Sequence, residues 1–383
     1  MSNFNVFYRL RKTNEPGIIK IKDNSLIIEN NRSRVNNKKH YKIFRNLNIF
    51  NENTTNQDVY ENYFKPKILE FIENDVSVFS TMAYGQTGSG KTYTLFGNLK
   101  CPGLVFNIIN TLLENKILLN ISCLQIYNNQ ISDLLNNDSI IKIFDTPDRI
   151  KFSSNINTIK IDNYKNACAK INFVMQNRII GCTKLNNQSS RSHIIFTIHF
   201  NNKKLYIIDL AGNEKGKYSV AHKDKNKLQE YIHINKSLFA LKECIRSFSM
   251  DYKYIPYRNS KLTLLLKEIF FNNGIVSFIA TLSPLKEHFF DIVDTLKFST
   301  SLQSKRIVLS IHKKIPDINK EIKSNYLNYI LKLYKLIHKD ADIYNYVKKN
   351  NKNFNIDEII NLGNEKINYI NDFNEIISKY KSI

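Results

Sequence analysis

Apolar residues along the chain follow two rhythms. Phe4 to Arg9, Val76 to Ala83, Ile121 to Ile126, Ile194 to Phe200, Leu205 to Asp209 and Ile275 to Leu282 are short runs rich in β-branched and aromatic residues. Their length and composition predict strands. Longer segments separate them. In Asn235 to Met250 the apolar residues Leu238, Leu241, Ile245 and Phe248 recur at helical spacing. Strands interleaved with helices predict an α/β domain around a central sheet. Beyond about Ile307 glycine almost vanishes. Tyr326, Ile330, Leu333 and Ile337 form one helical stripe, and Ile356, Ile359, Ile360, Ile367, Ile370 and Ile377 suggest another helix or two. Heptads are not sustained. The expected organisation is one α/β domain over 1–307 and a short α-helical tail over 308–383. The tail either packs on the core or pairs weakly with a second copy. No internal repeat is visible.

Composition narrows the class. The chain has 383 residues, 42% of them hydrophobic, which excludes a wholly disordered chain or a collagen. Its five cysteines form no Cys-x-x-Cys pair and read as free thiols in a reducing compartment. No run approaches the roughly 20 apolar residues of a membrane helix, and the N-terminus lacks a signal-peptide pattern. A cytoplasmic protein without a membrane span is expected. A net charge of +22 calls for a polyanionic partner. There is no zinc finger, RNA-binding signature or basic stripe interleaved with aromatics, so nucleic acid is not the expected one.

The candidate chemistry lies after the second strand. Gly85-Gln86-Thr87-Gly88-Ser89-Gly90-Lys91-Thr92 fits G-x-x-x-x-G-K-[ST]. Glycines let the backbone turn tightly and aim N–H groups at phosphate oxygens. Lys91 adds a point charge, the Thr92 hydroxyl reaches Mg²⁺, and a helix starting near Lys91 directs its positive end at the same anion. Hydrolysis also needs groups that sense the γ-phosphate and place a water. Asp209-Leu210-Ala211-Gly212, at the end of a strand, and Asn186 to His193, a run of hydroxyls with one Arg, are the candidates.

Together these segments resemble the kinesin motor domain, in family order over about residues 4 to 307. Ala83 to Thr92 is similar to the family's phosphate loop. Asn186 to His193 resembles its switch I motif N-x-x-S-S-R-S-H, and Asp209 to Glu214 its switch II. Ile234 to Leu238 and Pro256 to Thr263 resemble its microtubule-facing helices and the loop between them. The resemblance implies a P-loop NTPase fold, with a central, mostly parallel twisted sheet flanked by helices on both faces. It implies ATP and Mg²⁺ as cofactors and microtubule-stimulated ATP hydrolysis. Tyr84, Gly85, Gln86, Thr87, Gly88, Ser89, Gly90, Lys91 and Thr92 would hold the phosphates, and Arg9 and Tyr93 would flank the adenine. Thr92 and Ser190 would hold Mg²⁺, with Asp209 behind its water shell. Arg191 and Glu214 would form the ion pair that closes on ATP, with Ser189 and Gly212 near the γ-phosphate. The family's R-x-R-P reads Arg9-Leu10-Arg11-Lys12, without the proline.

Three features resemble the internal-motor, microtubule-depolymerising kinesin-13 class. They are the switch II run Asp209-Leu210-Ala211-Gly212-Asn213-Glu214-Lys215-Gly216, the triplet Lys242-Glu243-Cys244, and a degenerate loop tip, Arg34-Val35-Asn36. They imply ATP-driven microtubule depolymerisation. Translocation along the polymer and non-hydrolysing microtubule binding are the alternatives. The expected tubulin contacts are Arg34, Val35, Asn36, Lys236, Lys242, Glu243, Cys244, Arg246, Arg258 and Lys261, joined by the lysines 215 to 227. The expected location is the cytoskeleton, on microtubules and the spindle, as a monomer or a weak dimer through the tail.

Overall fold

The computed structural model describes residues 4–30, 40–98, 100–136, 139–145, 150–152, 155–183, 188–214, 225–250, 252–271 and 274–303. The loop tip 34–36, the lysines 215 to 223 and the tail 308–383 lie outside them, as does the expected boundary at 307.

The strands are β1 (Phe4–Leu10), β2 (Ile19–Lys22), β3 (Ser25–Asn30), β4 (His40–Phe44), β5 (Ile49–Phe50), β6 (Val78–Tyr84), β7 (Leu119–Tyr127), β8 (Gln130–Asp133), β9 (Ser139–Ile141), β10 (Ile143–Asp145), β11 (Ile150–Phe152), β12 (Ile159–Ile161), β13 (His193–Phe200), β14 (Lys203–Asp209) and β15 (Ile275–Leu282). The helices are α1 (Asn56–Val59), α2 (Lys65–Glu73), α3 (Lys91–Leu95), α4 (Leu104–Glu114), α5 (Tyr164–Thr183), α6 (Lys225–Ser249), α7 (Lys261–Leu265), α8 (Lys267–Phe271) and α9 (Phe289–Gln303).

The main sheet runs β5-β1-β15-β6-β14-β13-β7-β8-β9, with β12 on β7. It is mixed. Pairs from β5 through β14 are parallel, whereas β14–β13, β13–β7 and those beyond are antiparallel. The mostly parallel sheet expected from sequence is thus parallel only in the half that carries the phosphate loop. The cause is local. Asn201 and Asn202 take positive φ in the tight turn that joins β13 and β14 as an antiparallel hairpin.

Every residue of β6 is buried, and its side chains alternate between two cores. Val78, Met82 and Tyr84 join a core with Leu238 and Leu241 of α6 and Ile292 and Leu296 of α9. Phe79 and Ala83 join one with Phe71 of α2, Ile109 of α4 and Val174 of α5. Burial on both faces explains why the strand carries no charge and only the small polar residues Ser80 and Thr81. The helix expected from Asn235 starts earlier, at Lys225, because its first turns carry polar residues. The carboxyl ends of β6 and β14 meet at the register pair Ala83–Asp209, and in open α/β sheets such ends hold the ligand site.

Candidate functional site

Beyond Tyr84 the chain turns through Gly85–Gly90 into α3. Gly90 caps that helix at φ +100°, a conformation side chains rarely adopt. Lys91 is 6% exposed and folds back over the loop, donating to the carbonyls of Gly85 (2.8 Å) and Gln86 (2.9 Å). Burial pulls its pKa down, while Asp209 and Glu214 pull it up. A buried ammonium held by carbonyls alone can exchange them for phosphate oxygens at little cost. Ser89 bonds Thr281 of β15 (2.6 Å) and so ties the loop to the sheet. Thr87 and Gly88 are exposed, and the buried Gln86 amide has no partner among the described residues.

Two expected nucleotide contacts are buried. Tyr84 lies beneath the loop at 1% exposure, its ring against Phe278, and cannot touch a ligand. Arg9 is buried and bonded to Asn56, Thr94 (2.9 Å) and the Thr54 carbonyl (3.2 Å), with its guanidinium 5.5 Å from the Tyr93 ring centroid. It braces Tyr93, which is exposed on α3. Arg11 is the arginine at the loop, donating to the Gly88 carbonyl. It comes just after β1 ends, where the chain leaves the sheet; its place in R-x-R was the available signal.

At the end of β14 the Thr92 hydroxyl donates to Asp209 Oδ2 (2.6 Å). Arg178 of α5, missed from sequence, pairs with the same oxygen at 2.6 Å, and the two side chains are 1% and 0% exposed. Asp209 Oδ1 is buried with no partner among the described residues. A hydroxyl beside a carboxylate with one unsatisfied oxygen fits Mg²⁺ with Asp209 acting through the ion's water shell. Of Ser190, the third expected ligand, the carbonyl accepts from Gly212 N–H (2.8 Å). Among the described residues no His/Cys/Asp/Glu cluster forms another metal site.

Switch II packs against switch I and the phosphate loop. A Cβ at Gly212 would meet the Glu214 carboxylate and the Thr87 hydroxyl, which would have to move. His193 is 2% exposed. Ala211 N–H donates to its Nδ1 (3.0 Å), so Nε2 carries the proton and donates to Ser237 Oγ of α6 (2.8 Å). Burial pushes the His193 pKa to about 3, which keeps the ring neutral. The expected Arg191–Glu214 pair is not formed. Glu214 accepts from Thr87 N–H (2.9 Å) and from its hydroxyl. Arg191 pairs with Glu230 of α6 (2.8 Å) and lies 5.5 Å from the Tyr231 ring centroid. The side chain of Ser189 is outside the description.

The expected partner residues divide. Lys236, Arg246 and Arg258 are exposed. Lys261 is half-buried and donates to the Asn129 carbonyl (2.7 Å). Lys242 turns inward, its Nζ 5.4 Å and 5.1 Å from the ring centroids of Tyr84 and Phe298. Glu243 is half-buried. Cys244 is 0% exposed and bonded to Thr263, and burial raises its thiol pKa to about 12. Cys244 therefore packs the core and meets no partner. The outward stripe of α6 adds Ile232 and Phe239, 49% and 64% exposed, whose spacing around Lys236 was readable as one helical face. A cavity of about 340 Å³ opens between this helix, the β7–β8 turn and the loop before α7; Arg191, His193, Lys236, Arg258 and Leu262 line it.

Four likenesses bear on this geometry. The family model of the kinesin motor domain matches residues 9–305. Kinesin-like protein KIN-8B of Arabidopsis thaliana is 29% identical over 309 residues, 75% of this chain and 37% of its own length. Kinesin-related protein 7 of Dictyostelium discoideum is 31% identical over 316 residues, 76% of this chain and 24% of its own. The chain thus spans well under half the length of these relatives. Among solved structures, that of the C-terminal motor and motor homology domain of Kar3Vik1, fused to a synthetic heterodimeric coiled coil, has a TM-score of 0.67 at 25% identity, covering 78% of this chain and 85% of that one.

Proposed function

The chain belongs to the kinesin motor family, and from that premise we propose that it hydrolyses ATP to act on microtubules. The observation that carries this reading is the meeting of Lys91, Thr92 and Asp209 at the ends of β6 and β14. Lys91 and the loop amides would bind the phosphates. Thr92, with Asp209 behind water, would hold Mg²⁺, which neutralises charge developing on the β- and γ-phosphates. A microtubule binder that used no nucleotide would not need these side chains. The partner face is α6 with the loop before α7, where lysines and arginines surround Ile232 and Phe239. Such a face suits acidic tubulin, and binding there should weaken as salt rises. On this reading the protein resides on the microtubule cytoskeleton.

The mode of action we infer is depolymerisation of the polymer, with translocation along it as the alternative. Support comes from Asn213, in the switch II run that resembles the depolymerising class. Its amide donates to both Tyr84 OH (2.9 Å) and Thr295 Oγ1 of α9 (2.9 Å), a span a serine hydroxyl could not cover. The Lys242-Glu243-Cys244 match adds less, since Cys244 is buried. The test is ATP turnover with and without stabilised microtubules, with free tubulin followed by sedimentation. Expected are stimulated turnover and ATP-dependent tubulin release. Stimulated turnover with intact polymer would select translocation, and full stimulation in a Glu214→Ala variant would refute the switch assignment.

A further inference from the structure

Arg191 and Glu214, the two members of the expected closing pair, are both engaged elsewhere, and the way they are engaged is informative. Arg191 and His193 are two residues apart and meet α6 at Glu230 and Ser237, two turns apart on one helix face. Switch I is therefore keyed to α6 at two points. The His193–Ser237 contact is sealed: the residues are 2% and 9% exposed, and the Ser237 hydroxyl donates its own hydrogen bond to the Ile234 carbonyl (2.8 Å). The Arg191–Glu230 contact is looser. The arginine side chain is 22% exposed and borders the cavity, and Glu230 Oε1 is buried with no partner among the described residues. One anchor is built to stay and the other to exchange.

We propose that Glu230 is a positioning residue that holds Arg191 on α6 and away from Glu214, and that a partner docked on α6 relieves this hold. The inference rests on the functional reading above. It goes beyond it in naming what restrains the switch when no partner is bound. Because α6 carries both Glu230 and the exposed Ile232, Lys236 and Phe239, a rotation or shift of the helix under a docked partner moves the carboxylate relative to switch I. The His193–Ser237 contact would act as the pivot. The cavity gives the arginine side chain room to leave. Glu214 must in turn leave Thr87, so closure is an exchange of two contacts for one ion pair.

The test is Glu230→Gln, a near-isosteric change that removes the charge. Turnover without microtubules should rise at least fivefold, while turnover at saturating microtubules stays within twofold of the parent. Coupling between sites is reciprocal, so the variant should also bind microtubules several-fold more tightly in the presence of a non-hydrolysable ATP analogue. A merely structural role would not tighten binding. Tyr231→Leu, which removes the ring beside Arg191, should shift both readouts the same way and less. Unchanged or lower microtubule-free turnover in a folded Glu230→Gln protein overturns the proposal. If the parent protein shows no stimulation by microtubules, it is the functional reading that falls.

Discussion

Arg178 and Arg191 are both arginines paired with a carboxylate at the nucleotide site, and they behave as different devices. Arg178 and Asp209 are sealed, with 1% and 0% of their side chains exposed. Arg178 also reaches the Ser192 carbonyl (3.3 Å), so it ties α5, β14 and the start of β13 into one frame. Arg191 and Glu230 sit at the rim of a cavity, one 22% exposed, the other 5% with an unpartnered oxygen. Full desolvation makes a pair expensive to break, because separating it strands a charge away from water. Partial exposure lowers that penalty, and a contact with a low penalty can serve as a switch. Two ion pairs at one site thus divide the labour of holding and moving.

The strongest way to break this contrast is to delete each arginine and compare stability. Arg178→Met should cost about 3–5 kcal/mol, since it leaves Asp209 buried and unpaired. Arg191→Met should cost less, about 2 kcal/mol, because the bordering cavity lets water reach the Glu230 carboxylate that remains. Urea unfolding monitored by circular dichroism decides the matter. Equal losses would mean that exposure does not separate the two pairs.

His193 sharpens the comparison, since it lies beside Arg191 yet belongs with the fixed contacts. Its folded pKa of about 3 is below the ordinary value of 6.5. The unfolded chain therefore takes up a proton first as pH falls. Stability from the neutral ring is full above about 6.5 and drains away as pH drops toward 3. At pH 5 the loss amounts to about 2 kcal/mol. His193→Asn, whose amide oxygen can replace Nδ1 as acceptor for Ala211, should have a smaller Tm difference between pH 7.5 and pH 5 than the parent. An identical difference would place the acid sensitivity elsewhere.

The same contrast explains what could be read from sequence. The phosphate loop was legible because its chemistry is contiguous: eight consecutive residues carry the turn, the charge and the hydroxyl. β6 and β15 were legible because burial on both faces leaves a mostly apolar run with no charge. Partner choice among charges was not legible. Arg178 lies 31 residues before Asp209, and Arg191 lies 39 before Glu230. Nothing local to either arginine says which carboxylate the fold will bring to it. Arg9 and Arg11 show the limit at closest range: they are two residues apart, but only the one past the strand end bonds the loop. The antiparallel half of the sheet was missed because a two-asparagine turn is a small signal beside two long strands.

The smallest effect concerns Cys244, on the fixed inner side of α6. The sequence triplet placed it beside Lys242 and Glu243 as a partner contact, but a helix turns about 100° per residue, so neighbours in a triplet face different ways. Cys244 points at Thr263 and the core, whereas Lys236 and Arg246 point outward. Cys244→Ala should therefore cost about 1 kcal/mol of stability through lost packing and leave microtubule affinity within twofold. A maleimide probe should modify exposed Cys101 in the native protein and spare Cys244 until urea is added, with mass spectrometry reading the sites. If native Cys244 were labelled, or if its loss weakened microtubule binding more than that of Lys236→Ala, the inner face of α6 would open during function. The division between a fixed and an exchangeable side of that helix would then fail.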